Sequence, residues 1–125
     1  MRRAALGRAL ENPRAAPPRQ VLDLADIRNA LKAQMWRSVG VRRDAEGLGE
    51  ALENIDHWGR YVSAQQFSKP FGWELQNMLC VAWFMIRAAL ERTETRGCHV
   101  RTDFPQRDDP AWHRHVTFRR QEGGQ

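Results

Sequence analysis

Trp73-Glu74-Leu75-Gln76-Asn77-Met78-Leu79-Cys80-Val81-Ala82-Trp83-Phe84-Met85-Ile86-Arg87-Ala88-Ala89-Leu90 is the stretch that decides the fold. Leu75, Met78, Leu79, Ala82, Ile86, Ala89 and Leu90 recur at three- and four-residue intervals and fall on one broad face of a helix. The spacing predicts a helix from Trp73 to about Thr93. Its longest apolar run, Met78 to Ile86, ends at Arg87. That is far short of the roughly 20 apolar residues that span a bilayer, so no transmembrane segment is expected.

The helix runs out into Glu91-Arg92-Thr93-Glu94-Thr95-Arg96-Gly97-Cys98-His99-Val100-Arg101-Thr102-Asp103-Phe104-Pro105, where charge alternates in sign. Gly97 stands where a helix end or a tight turn wants a residue free to take positive φ. Arg96, His99, Arg101 and Asp103 crowd together beside two apolar anchors, Val100 and Phe104. A helix stop followed by a solvated loop accounts for this, and so does a recognition surface on a rigid support. Both readings stand at this level.

Upstream, Asp23 offers a helix cap, and Leu24, Ile27, Leu31, Met35 and Trp36 follow at helical spacing to about Ser38, ahead of Gly40. Asp44 can cap a second helix whose face is Leu48, Ala51, Leu52, Ile55, Trp58 and Val62. Gly47 and Gly49 weaken its first turn, so its start can slip by a turn. Ser68-Lys69-Pro70-Phe71-Gly72 separates it from the third helix. The expectation is an all-α, three-helix up-down-up bundle with a short N-terminal helix, at about residues 2–12, and an extended C-terminal tail. The domain boundaries expected are a connector at 1–21, where Pro13, Pro17 and Pro18 favour extended backbone, the helical domain at 22–118, and a disordered tail at 119–125. His99 to Phe104 alternates briefly, but one short segment makes no sheet by itself.

With 125 residues the chain holds at most one domain, and its formal charge is +5. Lysine occurs only at 32 and 69; every other basic residue is arginine, and five arginines stand in the first twenty positions against Glu11 alone. Beyond residue 20 the positive charges are interleaved with acids, and no basic stripe with regular aromatics emerges, so nucleic acid is not an expected partner. Cys80, inside the apolar helix, reads as core filling, and Cys98 as a loop residue. Two such cysteines build neither a disulfide framework nor a metal site, which fits a reducing, cytoplasmic setting. No secretory leader pattern opens the sequence. Five tryptophans are many for this size, and some of them should face a missing partner, with self-association possible in its absence.

Chemistry within the chain is not expected. His57 reads as a surface histidine, and the His113-x-His115 pair lacks the surroundings of a zinc motif. Glu91 and Glu94, flanked by Arg87, Arg92 and Arg96, read as surface ion pairing. The glycines form no phosphate-cradling or dinucleotide pattern, and nothing resembles a nucleophile elbow or a Cys-His pair. No catalytic, cofactor-binding or metal-binding residue is therefore expected.

The same segments carry a resemblance. Gln34-Met35-Trp36-Arg37-Ser38-Val39-Gly40-Val41 resembles the first-helix signature of the C-terminal domain shared by succinate dehydrogenase and fumarate reductase flavoproteins and L-aspartate oxidase. Leu75-Gln76-Asn77-Met78-Leu79, with Val81-Ala82, is similar to that domain's third helix, and Glu94-Thr95-Arg96-Gly97-Cys98-His99 to its Glu-Ser-Arg-Gly-x-His turn, with threonine for the usual serine. Asp103-Phe104-Pro105, Arg107-Asp108-Asp109, Trp112 and His115 continue the match in order, so that it covers about residues 22–118. The resemblance implies a domain that follows an FAD-binding domain and a capping domain in an FAD-dependent oxidoreductase of a dicarboxylate (succinate or fumarate) or of L-aspartate. FAD is then implied in the complete enzyme, and the partner is the FAD-binding domain or flavoprotein body, in cis or in trans. On this reading Trp36, Arg96, Gly97, His99, Arg101, Asp103, Phe104, Trp112 and His115 are the candidate domain-docking residues. A truncated gene, a late start or a split protein all suit such a chain. The alternative is a stand-alone, non-catalytic helical protein-interaction module.

Overall fold

A computed structural model describes residues 23–121. The expected helix at 2–12, the connector at 1–21 and most of the expected tail at 119–125 lie outside them. Three helices make the bundle: α1 (Leu24–Ser38), α2 (Ala45–Ser63) and α3 (Pro70–Glu91). A single-turn helix, α4 (Asp109–Trp112), follows. Between α1 and α2 lies β1 (Arg42–Arg43), which pairs in parallel with β2 (Val100–Arg101) in the register Arg42–Val100 and Arg43–Arg101. The fold is the all-α bundle expected from periodicity, with this small pairing added. None of its described helices is long and apolar enough to cross a membrane.

The helix starts follow from their caps. The Asp23 carboxylate accepts from the Ala25 amide at 2.9 Å, and Asp44 from the Gly47 amide at 2.6 Å. With that cap made, α2 starts at Ala45 and does not slip, despite Gly47 and Gly49. α3 begins at Pro70, earlier than the apolar stripe suggested, because a first-position proline forfeits only an amide that the helix leaves unbonded anyway. Gly72 is buried in that first turn, and a β-carbon there would stand 2.2 Å from the Phe67 ring. Glycine is therefore what lets the α2–α3 connection close onto α3.

The core is Ile27, Leu31 and Val39 from the α1 side, Leu48, Ala51, Ile55 and Val62 from α2, and Leu75, Leu79, Ala82, Ile86 and Ala89 from α3. Apart from Val39, these are among the periodic positions read from the sequence, while Trp36, read as part of the α1 stripe, is exposed; α3 packs chiefly on α2. Cys80 is an exception. It is exposed, because it sits one position past Leu79 and so turns about 100° away from the buried face. α3 carries more apolar surface than two neighbours can cover. Trp73, Val81, Phe84 and Met85 remain exposed, and Phe118 of the tail lies against Phe84 and Trp83, with centroids 5.4 and 6.4 Å apart.

Candidate functional site

At the end of α3 the backbone turns extended at Arg92, whose amide still bonds the Ala88 carbonyl. The last carbonyls of a helix carry partial negative charge and lack intrahelical donors. Here they meet a guanidinium. Arg101, only 1% exposed, sends Nη1 to the carbonyls of Ala89 at 2.9 Å, Leu90 at 3.0 Å and Arg92 at 3.3 Å. Its other edge forms a two-point pair with Asp103, Nε to Oδ1 at 2.8 Å and Nη2 to Oδ2 at 2.7 Å. Asp103 Oδ2 also accepts the Ala45 amide, at 3.1 Å, from the first turn of α2. An unbroken alternation of charge thus runs from the negative end of α3 through Arg101 and Asp103 to the positive end of α2.

Residues 96 to 99 form the turn that returns the chain to this point. Arg96 and His99 exchange backbone hydrogen bonds at 2.8 and 3.0 Å around Gly97 and Cys98. Gly97 has φ +58°, as its sequence position suggested, and no described non-glycine residue has positive φ. The sign pattern is that of a type II′ hairpin turn, which places glycine first. Its conformational freedom thus serves the hairpin and not the helix cap itself. Thr95 Oγ1 accepts the Arg101 amide at 3.0 Å and donates to the Phe104 carbonyl at 2.9 Å, so threonine keeps the hydroxyl that the loop uses.

Glu94 sits at the centre of a second cluster. It is fully buried, not a surface ion pair as the sequence suggested. It accepts from Arg92 Nη1 at 2.7 Å, Arg96 Nε at 2.6 Å, Arg96 Nη2 at 3.1 Å and the Asp108 amide at 2.8 Å. The hydrogen bonds from Arg96, reinforced by Asp108 and Arg92, outweigh burial and hold the carboxyl at about 2. Arg96 is pushed up by Glu94 first and Asp109 second. Arg92 continues to the carbonyls of Trp112, at 2.8 Å, and Arg114. Trp112 is buried and donates Nε1–H to Thr93 Oγ1 at 3.0 Å, while the guanidinium groups of Arg92 and Arg114 lie 5.4 and 4.6 Å from its ring centroid.

His99 links the two clusters to β1. The ring nitrogens lie 3.1 Å (Nε2) from the Arg92 carbonyl and 2.8 Å (Nδ1) from Arg43 Nη1. A carbonyl only accepts and a guanidinium only donates, which assigns the neutral Nε2–H tautomer. Burial, with the neighbouring Arg43, Arg101 and Arg92 charges, holds the ring below its ordinary value. Asp103 is held at about 2, chiefly by Arg101.

The nine sequence-predicted docking residues thus divide. Arg96, His99, Arg101, Asp103 and Trp112 come together in the bonded network with Gly97 at its turn. Phe104 is 41% exposed and lies under the Arg101 guanidinium, 5.0 Å from centroid to Cζ. Trp36 stands apart on α1 at 86% exposure, and His115 is exposed on the tail. Sequence reasoning missed Arg43, since nothing local marks a residue whose partner lies 56 positions away. It undervalued Glu94, although its placement between Arg92 and Arg96 was the available signal.

This network suits cohesion and does not fit a dinucleotide. The backbone amides of Thr95, Arg96, His99 and Arg101 are bonded within the loop, and the guanidinium groups of Arg92, Arg96 and Arg101 already face Glu94, Asp103, Asp109 or carbonyls. Among the described residues of this network, those donors are already engaged.

Fold and network together define a small helical domain pinned at one end by arginine–carboxylate pairs. The sequence matches the family described as fumarate reductase flavoprotein C-term over residues 28–125, and the chain belongs to that family. It is 36% identical over 111 residues to an L-aspartate oxidase of Streptomyces coelicolor, covering 82% of this chain and 19% of the relative. A fumarate reductase flavoprotein subunit of Mycobacterium tuberculosis is 36% identical over 110 residues, covering 81% and 19%. Among solved structures, a chain of the Mycobacterium smegmatis Sdh1 complex in the apo form superposes with a TM-score of 0.60 at 29% identity, covering 85% of this chain and 20% of that one. The chain therefore spans about a fifth of the length of the relatives it matches.

Proposed function

We propose that this chain is the C-terminal helical domain of an FAD-dependent oxidoreductase acting on a dicarboxylate (succinate or fumarate) or on L-aspartate, and that it packs on the FAD-binding body without entering the chemistry. The observation that carries this reading is the match to the C-terminal fifth of flavoproteins by a chain whose charged turn is satisfied internally. FAD belongs to the body, where it supplies the hydride chemistry. The body is present in cis or in trans, and the domain unit is residues 22–118. Two unpaired, exposed cysteines support a reducing, cytoplasmic setting. The candidate docking residues take two roles: Trp36, Phe104 and His115 offer exposed surface, while Arg96, Gly97, His99, Arg101, Asp103 and Trp112 hold the turn in shape.

The test titrates this chain into the separately expressed flavoprotein body and follows binding and turnover. Arg96→Ala and Asp103→Ala weaken association, and turnover recovers as more of the variant chain is added. Normal affinity with turnover abolished at saturation would place these residues in the reaction and overturn the reading.

A further inference from the structure

Trp36 lies on the last turns of α1 between two grooves. One, of about 630 Å³ between α1 and α3, is lined by Leu31, Met35, Met78, Val81 and Met85. The other, of about 520 Å³ along the α1–β1 connection, is lined by Arg37, Val41, Arg42 and Arg43. The grooves are continuous, since Trp36, Val39 and Gly40 line both. Trp36 is 86% exposed, Val41 59%, Val81 57% and Met85 48%. With Lys32 the combined lining holds four cationic side chains and no Asp or Glu. Elsewhere Arg28 lies over Phe71 and pairs with Glu74, Phe118 lies on Phe84, and the groove between α2 and α3 is lined by both Asp56 and Arg60, while Trp73 is an exposed ring outside both grooves. Exposed apolar surface with a single-sign rim is the form of an interface core beside a steering patch.

We infer that this Trp36-centred face receives the flavoprotein body through a segment that presents an apolar ridge flanked by Asp or Glu side chains. The inference rests on the proposed function and names the surface and the partner chemistry for it. Charge complementarity fixes the acidic flank, and the remaining length of the relatives, of which this chain spans a fifth, is where such a segment lies. The ridge fills the α1–α3 groove against Trp36, and its carboxylates face Arg37, Arg42 and Lys32. The bonded turn at 94–103 is thereby the brace of the interface and not its centre, because Arg43 belongs both to the basic groove and to the hydrogen bond with His99.

The experiment is hydroxyl-radical footprinting of the free full chain and of the Streptomyces coelicolor L-aspartate oxidase in which this chain replaces the matching segment. Trp36 and Met85 are expected to oxidise about tenfold more slowly in the hybrid, while Trp73 is unchanged, as an interface core excludes water like a protein interior. Arg37→Glu with Arg42→Glu lowers the melting temperature of the hybrid further than that of the free chain, and the difference shrinks at high salt. Arg60→Glu, on α2, shifts both melting temperatures by the same amount. Protection of Trp73 with Trp36 still reactive overturns this surface and leaves the proposed function standing. Protection nowhere overturns both. A discrete dimer of the free chain that protects Trp36 equally gives the face to a second copy and overturns the inference. If the hybrid does not fold, the free chain is footprinted with and without the oxidase body lacking that segment, and the same outcomes apply.

Discussion

Glu94, Asp103 and His99 set the acid response of this domain, each in its own pH range. Both carboxyls are held at about 2, against ordinary values of 4.5 and 3.8, so the folded state binds fewer protons than the unfolded chain as pH falls. The stability they contribute is complete above those ordinary values and is lost as pH drops toward 2. His99 is also depressed, so its contribution is complete above the ordinary 6.5 and declines first on acidification. Melting temperature should therefore fall in two limbs, one beginning near 6.5 and a steeper one below 4.5. His99→Gln should flatten the first limb and Glu94→Gln the second; an unchanged profile in both variants would refute the assignment. Gly97→Ala belongs to the same scale. No atom crowds its missing β-carbon, so the cost is backbone strain at φ +58° alone, about 1 kcal/mol in chemical denaturation.

The helices depend on how their ends are closed. α1 and α2 start on local aspartates, whereas α3 ends on Arg101, a residue of β2. Arg101→Met keeps the aliphatic stem but removes the guanidinium, leaving the Ala89 and Leu90 carbonyls without their donor and Asp103 with only the Ala45 amide. Arg101 is buried although Asp103 reaches solvent, so losing the guanidinium costs on the order of 1–3 kcal/mol, chiefly from the unpaired buried carbonyls, and urea titration should show it. Adding Asp103→Leu should cost less than the sum of the two single changes, since the second removes a charge that the first left unpaired. Additive losses would mean that the plug and the α2 cap act independently.

At the scale of the whole molecule, the three-helix core is small and the outer side of α3 stays apolar, with Trp73, Val81, Phe84 and Met85 exposed beside Trp36. The isolated chain should be largely helical by circular dichroism and show no flavin absorbance. It should also self-associate in an open-ended, concentration-dependent series in sedimentation velocity at micromolar concentration. A sharp-melting monomer that binds no apolar dye would contradict that expectation.

The sequence by itself determined the three helices, the aspartate caps of the first two, most of the core face of each and the positive-φ glycine, because those are set by periodicity and by residues within a few positions of one another. It also carried the family resemblance, in motifs that are contiguous. Only the tertiary structure decided that Arg42–Arg43 pairs with Val100–Arg101, that Cys80 is exposed, and that Glu94 is buried while Trp36 is not. It alone showed that Arg101 and Asp103 of the charged loop join the end of α3 to the start of α2. These outcomes depend on contacts such as Arg43 with His99 and Ala45 with Asp103, across 56 and 58 residues. A charge pattern shows which groups attract, but whether a carboxylate meets a guanidinium or water depends on which helix ends the folded chain brings together.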